Sequence, residues 1–459
     1  MSQQGRTALA RLLPFSPLKK SGWVDLLFAS RGAGAKAKAN PPPSATRTSA
    51  PFFKGGAFKG GAFKGRALKG GFLLALLLSA LALPAAATES VALLPQTIKL
   101  DDGRSFKLTL PANLEVVPVA QGYKRIRFFA RSPDGRIFLT DMRDLSDNRK
   151  GRVLILDGWD EKKAKFARIT PYLTDQRNPN NLAFHTDKQG QQWLYLALTD
   201  KLVRYRYRAG DLAPSSAPET LATYPDYGLS YKYGGWHLTR TVAFANNGKM
   251  YVSVGSSCNA CIEKEPVRAT VMEYNPDGSG ARVYARGLRN AVGLIAHDDR
   301  LIATNQGSDH LGLDKPDETF FKLTDGADYG WPHCYHSRGK VYADPKFPRA
   351  AGCAKVPRAF GWFPAHASAL GVDWFPSGDG SLANQYVVAL HGSTNAKIGH
   401  GYKLVRVNAD GSNGGDLITG FLDGAKVNGR PCGVLRMGRD AFLFTDDKYG
   451  VIYYVRPKR

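Results

Sequence analysis

Four places in this 459-residue chain carry side chains whose chemistry would require a shaped site. His237 closes the run Gly234-Gly235-Trp236-His237 just before the strand-like TVAF, and an imidazole that titrates near neutrality suits a general base. Arg289-Asn290 holds a comparable place before another strand, and the planar, always charged Arg fork suits a carboxylate or a developing oxyanion. Arg430, between Gly429 and Pro431, brings a further cation to the equivalent position. Gln306-Gly307-Ser308 opens a loop carrying Asp309, Asp314, Asp317 and Glu318, and Asp328-Tyr329-Gly330-Trp331-Pro332 closes that stretch. Carboxylates and backbone carbonyls on a flexible loop suit Ca2+, although the spacing is not that of an EF-hand. Cations, a base and hard oxygen ligands together suit an anionic cofactor beside a hard cation. Each has a blander reading, such as His237 as a structural neighbour of Trp236 and Arg289 in a salt bridge between repeats; Asp446-Asp447 suits a metal or a pairing with Arg430, against a plain surface turn.

Short alternating or apolar runs position these groups, each entered through a polar turn, and no long segment keeps a 3.6-residue period. The turns lie near residues 134, 188, 247, 298, 379 and 439. Six units of roughly 50 to 80 residues predict an all-β, six-bladed β-propeller over residues 88–459, with a β-sandwich as the alternative. Ligands of a propeller bind where loops flanking the inner strands converge on the channel. His237, Arg289 and Arg430 fall at that point in the third, fourth and sixth units.

Composition limits the partners. Half of the net charge of +24 lies on residues 1–87, which hold 13 Lys/Arg and one acid, Asp25. The body shows no basic stripe interleaved with stacking aromatics, so no nucleic acid is expected. Phe72 to Leu83 is an apolar run too short for a stable membrane span. With basic residues before it and Pro84-Ala85-Ala86-Ala87 after it, the run reads as a secretory signal cleaved after Ala87, which predicts a periplasmic or secreted protein, with a membrane anchor as the alternative. Residues 1–87 are thus expected to be an unstructured basic leader plus that signal. In an oxidising compartment Cys258 with Cys261, and Cys334 with Cys353, are expected to form disulfides, leaving Cys432 over. Zinc is the rival for the CxxC, without a second Cys/His pair at the usual spacing.

The motifs GLRN, NQGSD, DE and DYGWP, taken in order, resemble the soluble pyrroloquinoline quinone (PQQ)-dependent glucose/sorbosone dehydrogenases. HLTRTVAFANNGKMYVSVGSSCNAC, HGSTN and GRPCGVL are similar to the L-sorbosone dehydrogenase-like branch, and the resemblance spans roughly residues 95–457. It implies a six-bladed propeller with PQQ over the channel mouth, a Ca2+ ion and a sugar substrate. His237 then matches the base that takes the substrate hydroxyl proton, and Arg289 the cation beside the reacting quinone oxygen. Asn290, Arg430, Lys397 and Lys403 match cofactor contacts. Gly307 and Ser308 match Ca2+ ligands through their carbonyls, with Asp317, Glu318 and Tyr329 as a supporting calcium loop. Gln176 and Trp236 are the substrate candidates. The branch usually reads HGSWNR where this chain has HGSTNA, so Thr394 and Ala396 replace an aromatic and an Arg beside Lys397.

The resulting expectation is an exported quinoprotein dehydrogenase that oxidises an aldose or sorbosone-like sugar and passes electrons to an external quinone or cytochrome. A Ca2+-dependent lactonase-type hydrolase and a non-enzymatic binding propeller are the alternatives. The sequence leaves the sugar, the electron acceptor and the oligomeric state open.

Overall fold

The computed structural model describes residues 92–226 and 237–458, so the leader, its signal run and Trp236 lie outside the described residues. Six four-stranded antiparallel sheets form the blades of a propeller, as the six turns predict. Their first strands are Ile126–Arg131, Asn181–Thr186, Arg240–Phe244, Leu294–His297, Ala369–Phe375 and Pro431–Arg436. Neighbouring first strands pack against one another around the channel. The second strands are Ile137–Asp141, Gln192–Ala197, Met250–Val254, Arg300–Asn305, Gln385–Leu390 and Phe442–Asp446. Each polar turn therefore sits between the first and second strands of its own blade. The sixth blade is completed by Leu114–Ala120, which pairs antiparallel with the last strand, Val451–Pro457.

Apolar side chains on both faces of each blade fill the space between sheets, so the strands read as near-continuous apolar runs (Phe138, Leu139, Val153, Leu154, Leu194, Leu196). Threonine hydroxyls also join successive blades. Thr140 Oγ1 donates to Asn180 O at 2.6 Å, Thr304 Oγ1 to Leu370 O at 2.9 Å, and Thr445 Oγ1 to Arg127 O at 2.7 Å. The first strands approach too closely for a side chain at some positions. A Cβ on Gly293 would lie 2.1 Å from Leu370 O, and one on Gly433 would lie 2.2 Å from Arg127 O.

Two disulfides form, Cys258–Cys261 and Cys334–Cys353, and Cys432 is a buried free thiol. This is the expected pairing. Among the described residues no helix is long and apolar enough to cross a membrane.

Candidate active site at the channel mouth

Loops leading into the first strands and loops leaving the second strands emerge on one side of the ring. His237 precedes the first strand of the third blade, and Ser256 follows that blade's second strand. His237 Nδ1 lies 3.0 Å from Ser256 O and 2.9 Å from Ser256 Oγ. A carbonyl oxygen can only accept, and Ser256 Oγ donates its single proton to Cys258 O at 2.7 Å. Nδ1 therefore carries the proton of the neutral ring, and Nε2 is the basic nitrogen. Burial, reinforced by the nearby Arg289 charge, holds the His237 pKa well below the usual histidine range.

Arg289 and Asn290 precede the first strand of the fourth blade and are both buried. Gly255 sits between the two blades, where a Cβ would lie 2.6 Å from both Asn290 Oδ1 and His237 Cβ. His237 and Asn290 thus face each other across one glycine. Arg289 donates from Nε to Asn259 O and from a terminal nitrogen to Asn259 Oδ1, each at 2.8 Å. Its contact with Asp309 is longer, 3.5 Å, and that carboxylate is 59% exposed. Asn290 Nδ2 donates to Gln306 Oε1 at 2.7 Å, and Gln306 Nε2 donates to Ser368 Oγ at 2.6 Å, which ties the fourth blade to the fifth.

The acidic loop leaves the second strand of the fourth blade, not its inner strand. Ser308 Oγ accepts the Trp331 indole N–H at 3.0 Å. A cavity of about 30 Å³ lies under the loop, lined by Gln306, Gly307, Ser308, Asp317 and His336 among others. That is room for one water or one ion. Glu318 opens the third strand and is 3% exposed, and its Oε2 has no hydrogen-bond partner among the described residues. Burial pushes its carboxyl up to about 8, against the pull of Arg289 and of the Ser368 and Ala369 N–H groups.

Of the three residues expected to support a calcium loop, Asp317 and Tyr329 line this cavity with Gly307 and Ser308, and Glu318 does not. Asp317 Oδ2 accepts the Gly339 N–H at 3.2 Å, whereas Glu318 turns to Ser368 and Ala369, as adjacent residues on a strand must. The Tyr329 hydroxyl donates to Lys322 O and accepts the Thr324 N–H, both at 3.0 Å, and its ring packs in the core against Phe321. Lys403 is paired with Asp416 at 2.7 Å, across to the next strand of its blade. Gln176 donates to Thr174 O within its own outer strand. Lys397 is exposed on a short turn, Ala396–Ile398.

Arg430 reaches the mouth from the sixth blade, but not by pairing with Asp446-Asp447. Its guanidinium donates to the carbonyls of His391, Gly392 and Ser393, which anchors the HGSTNA loop. Asp446 accepts the Arg430 backbone N–H, at 2.8 Å, rather than its guanidinium. Asp447 instead binds His391 Nε2 at 2.6 Å, Arg127 at 2.5 Å and Arg125 at 3.1 Å. Asn259, His391, Arg125 and Arg127 escape a reading by position within a unit. Their partners come from other blades, and only the polar character of the loop tips marks them.

Six blades with a base, a buried cation and an oxygen-lined loop at one mouth define a propeller whose site lies over its channel. The chain belongs to the TrAA12-like family, whose profile matches residues 138–420. No curated protein matches the sequence. Among solved structures, the fold is similar to the holo PQQ domain of pyranose dehydrogenase from Coprinopsis cinerea, at 19% identity and TM-score 0.62 over 76% of this chain and 97% of that one. It is similar to the calcium structure of Carbohydrate-Active Enzymes Family AA12 from Trichoderma reesei, at 16% identity and TM-score 0.64 over 76% and 97%. It is also similar to the PQQ-bound aldose sugar dehydrogenase of Streptomyces coelicolor, at 19% identity and TM-score 0.53 over 76% and 100%. At these identities the likeness establishes a shared architecture.

Proposed function

We propose that the chain is an exported, PQQ-dependent sugar dehydrogenase that uses Ca2+ and acts on an aldose or sorbosone-like sugar. One observation carries the reading: the imidazole of His237 faces Asn290 across Gly255 at the channel mouth, and the buried guanidinium of Arg289, next in the chain to Asn290, lies near enough for its charge to lower the His237 pKa. The residues fit an anionic quinone and a hard cation. Arg289, Arg430 and Arg125 supply positive charge, and the cavity lined by Gly307, Ser308 and Asp317 supplies hard oxygen. PQQ, when bound, supplies a two-electron, hydride-accepting quinone, and Ca2+ supplies Lewis acidity.

The protein's own part is positioning and proton transfer. His237 Nε2 takes the hydroxyl proton of the sugar as its C–H bond breaks, while Ser256 fixes the ring through Nδ1. Arg289 stabilises negative charge developing beside it, and burial strengthens that effect by excluding water. Two disulfides support an oxidising compartment, in keeping with a leader over residues 1–87 removed after Ala87 and a catalytic propeller over 88–459. The C. cinerea and S. coelicolor structures, by their names, are PQQ-binding sugar dehydrogenases and support the same reading.

The test is reconstitution. Purified protein supplied with PQQ and CaCl2 is expected to reduce an artificial dye in the presence of one or more sugars from an aldose and sorbosone panel. Absence of both dye reduction and quinone absorbance on the protein would overturn the reading. Lactone hydrolysis without quinone would favour a hydrolase instead. An external quinone or cytochrome is the proposed physiological acceptor.

A further inference from the structure

We propose that Asn259, held inside the four-residue Cys258–Cys261 disulfide loop, is the positioning residue for Arg289. A guanidinium fixes its plane only when two of its N–H groups are engaged, because one bond still leaves it free to swing. At Arg289 both strong acceptors come from this single residue: Asn259 O takes Nε–H, and Asn259 Oδ1 takes a terminal N–H, each at 2.8 Å. Asn259 Oδ1 also accepts the backbone N–H of Asp309 at 3.0 Å, which couples the clamp to the acidic loop.

The same short segment holds the base. Ser256, two residues before Cys258, orients His237 through its carbonyl and hydroxyl, and that hydroxyl is itself fixed to Cys258 O. Ser257 is braced from the other end of the segment, with its N–H and hydroxyl bound to the Glu263 carboxylate at 2.6 and 2.7 Å. Proton acceptor and cation, on two different blades, thus take their orientation from one short segment, Ser256 to Cys261, whose second half the disulfide closes.

The size of that loop argues against a purely stabilising purpose. Cross-linking residues three apart in sequence removes far less freedom from the unfolded chain than Cys334–Cys353, which are nineteen apart. What the small ring restrains is the backbone of Asn259, the atom set that Arg289 binds.

The experiment compares wild type with Asn259→Ala, Asn259→Asp and the double variant Cys258→Ser/Cys261→Ser. Substitution is used because a reductant would also attack the second disulfide and a bound quinone. The first readout needs no cofactor: the Arg289 terminal N–H signal, the one whose proton Asn259 Oδ1 accepts, in a 15N-arginine NMR spectrum, assigned by its loss in Arg289→Lys. It is expected to be shielded from exchange in wild type and Asn259→Asp, which keeps an Oδ acceptor, and to lose that protection in the other two.

The second readout rests on the dehydrogenase reading. With PQQ bound, kcat is expected to fall about 10²-fold in Asn259→Ala and the double-cysteine variant, with KM and cofactor affinity little changed. The double-cysteine variant is expected to lose less thermal stability than Cys334→Ser/Cys353→Ser. An unchanged Arg289 signal in Asn259→Ala overturns the positioning role, even if the double variant does not fold. A wild type that is inactive yet shows the protected signal and its loss in Asn259→Ala would overturn the dehydrogenase reading alone.

Discussion

His391 Nε2 and a carboxylate oxygen of Asp447 lie 2.6 Å apart, joining the loops that leave the second strands of the fifth and sixth blades. Asp447 is fully buried and is shared with Arg127 and Arg125, so one carboxylate anchors three side chains at the ring's closing junction.

Removing that charge leaves the buried Arg127 without a counter-ion. Asp447→Asn is expected to cost about 3–5 kcal/mol of folding stability, the usual penalty for breaking a buried pair from one side. Urea unfolding at pH 7 measures it.

Stability should also fall on the acid side, with a sign fixed by His391. Burial pushes its pKa down to about 4, against the pull of Asp447, whereas the unfolded residue titrates near 6.5. Between those values the unfolded state binds the extra proton, so stability declines as pH drops from about 6.5 towards 4. Asp447 is held well below the ordinary carboxylate range by His391 and the two arginines, against the upward push of burial. Its contribution is complete above the unfolded carboxylate pKa and is lost only as pH falls further. In His391→Gln the decline between pH 6.5 and 5 should flatten, as unfolding curves at stepped pH would show.

His237→Ala is expected to lower turnover about 10²–10⁴-fold while PQQ absorbance on the protein persists. Because its pKa is depressed, the basic form predominates through neutrality. The acid limb of the wild-type kcat/KM profile should therefore lie below the ordinary histidine range. A rate unchanged in His237→Ala removes it from the mechanism.

Gly293→Ala would drive a methyl group to 2.1 Å from Leu370 O, where two inner strands meet. Overpacking of that kind costs about 1–3 kcal/mol or more. A lowered melting temperature, with far less change for Gly438→Ala, whose methyl would meet only Ala441 Cβ at 3.6 Å, is the expected result.

The architecture was readable because each blade announces itself locally. Turns such as Pro133-Asp134-Gly135 and Asn246-Asn247-Gly248 sit at the same place in their blades, between first and second strands. His237, Arg289 and Arg430 were readable for the same reason, since their position before a first strand sets their place at the mouth. Side-chain direction was not. Tyr329 looks like part of a polar loop, yet its ring enters the core, and Lys403 spends its charge on Asp416 across a strand register that no local pattern reveals. The Asn259 clamp and the His391–Asp447 pair are contacts between blades, and spacing within one unit carries no record of them.

The pairing of Leu114–Ala120 with Val451–Pro457 sets an order of events during synthesis. The sixth sheet takes its outer strand from the start of the propeller and its other three from the end. A nascent chain therefore carries Leu114–Ala120 without its strand partner until nearly every other strand has been made, a template for pairing with the wrong chain. Gln96 covers the strand's other, outward edge: its side chain exchanges hydrogen bonds with the Val116 backbone N–H and C=O at 2.9 and 2.6 Å, so only the edge that awaits Val451–Pro457 is left open at that residue.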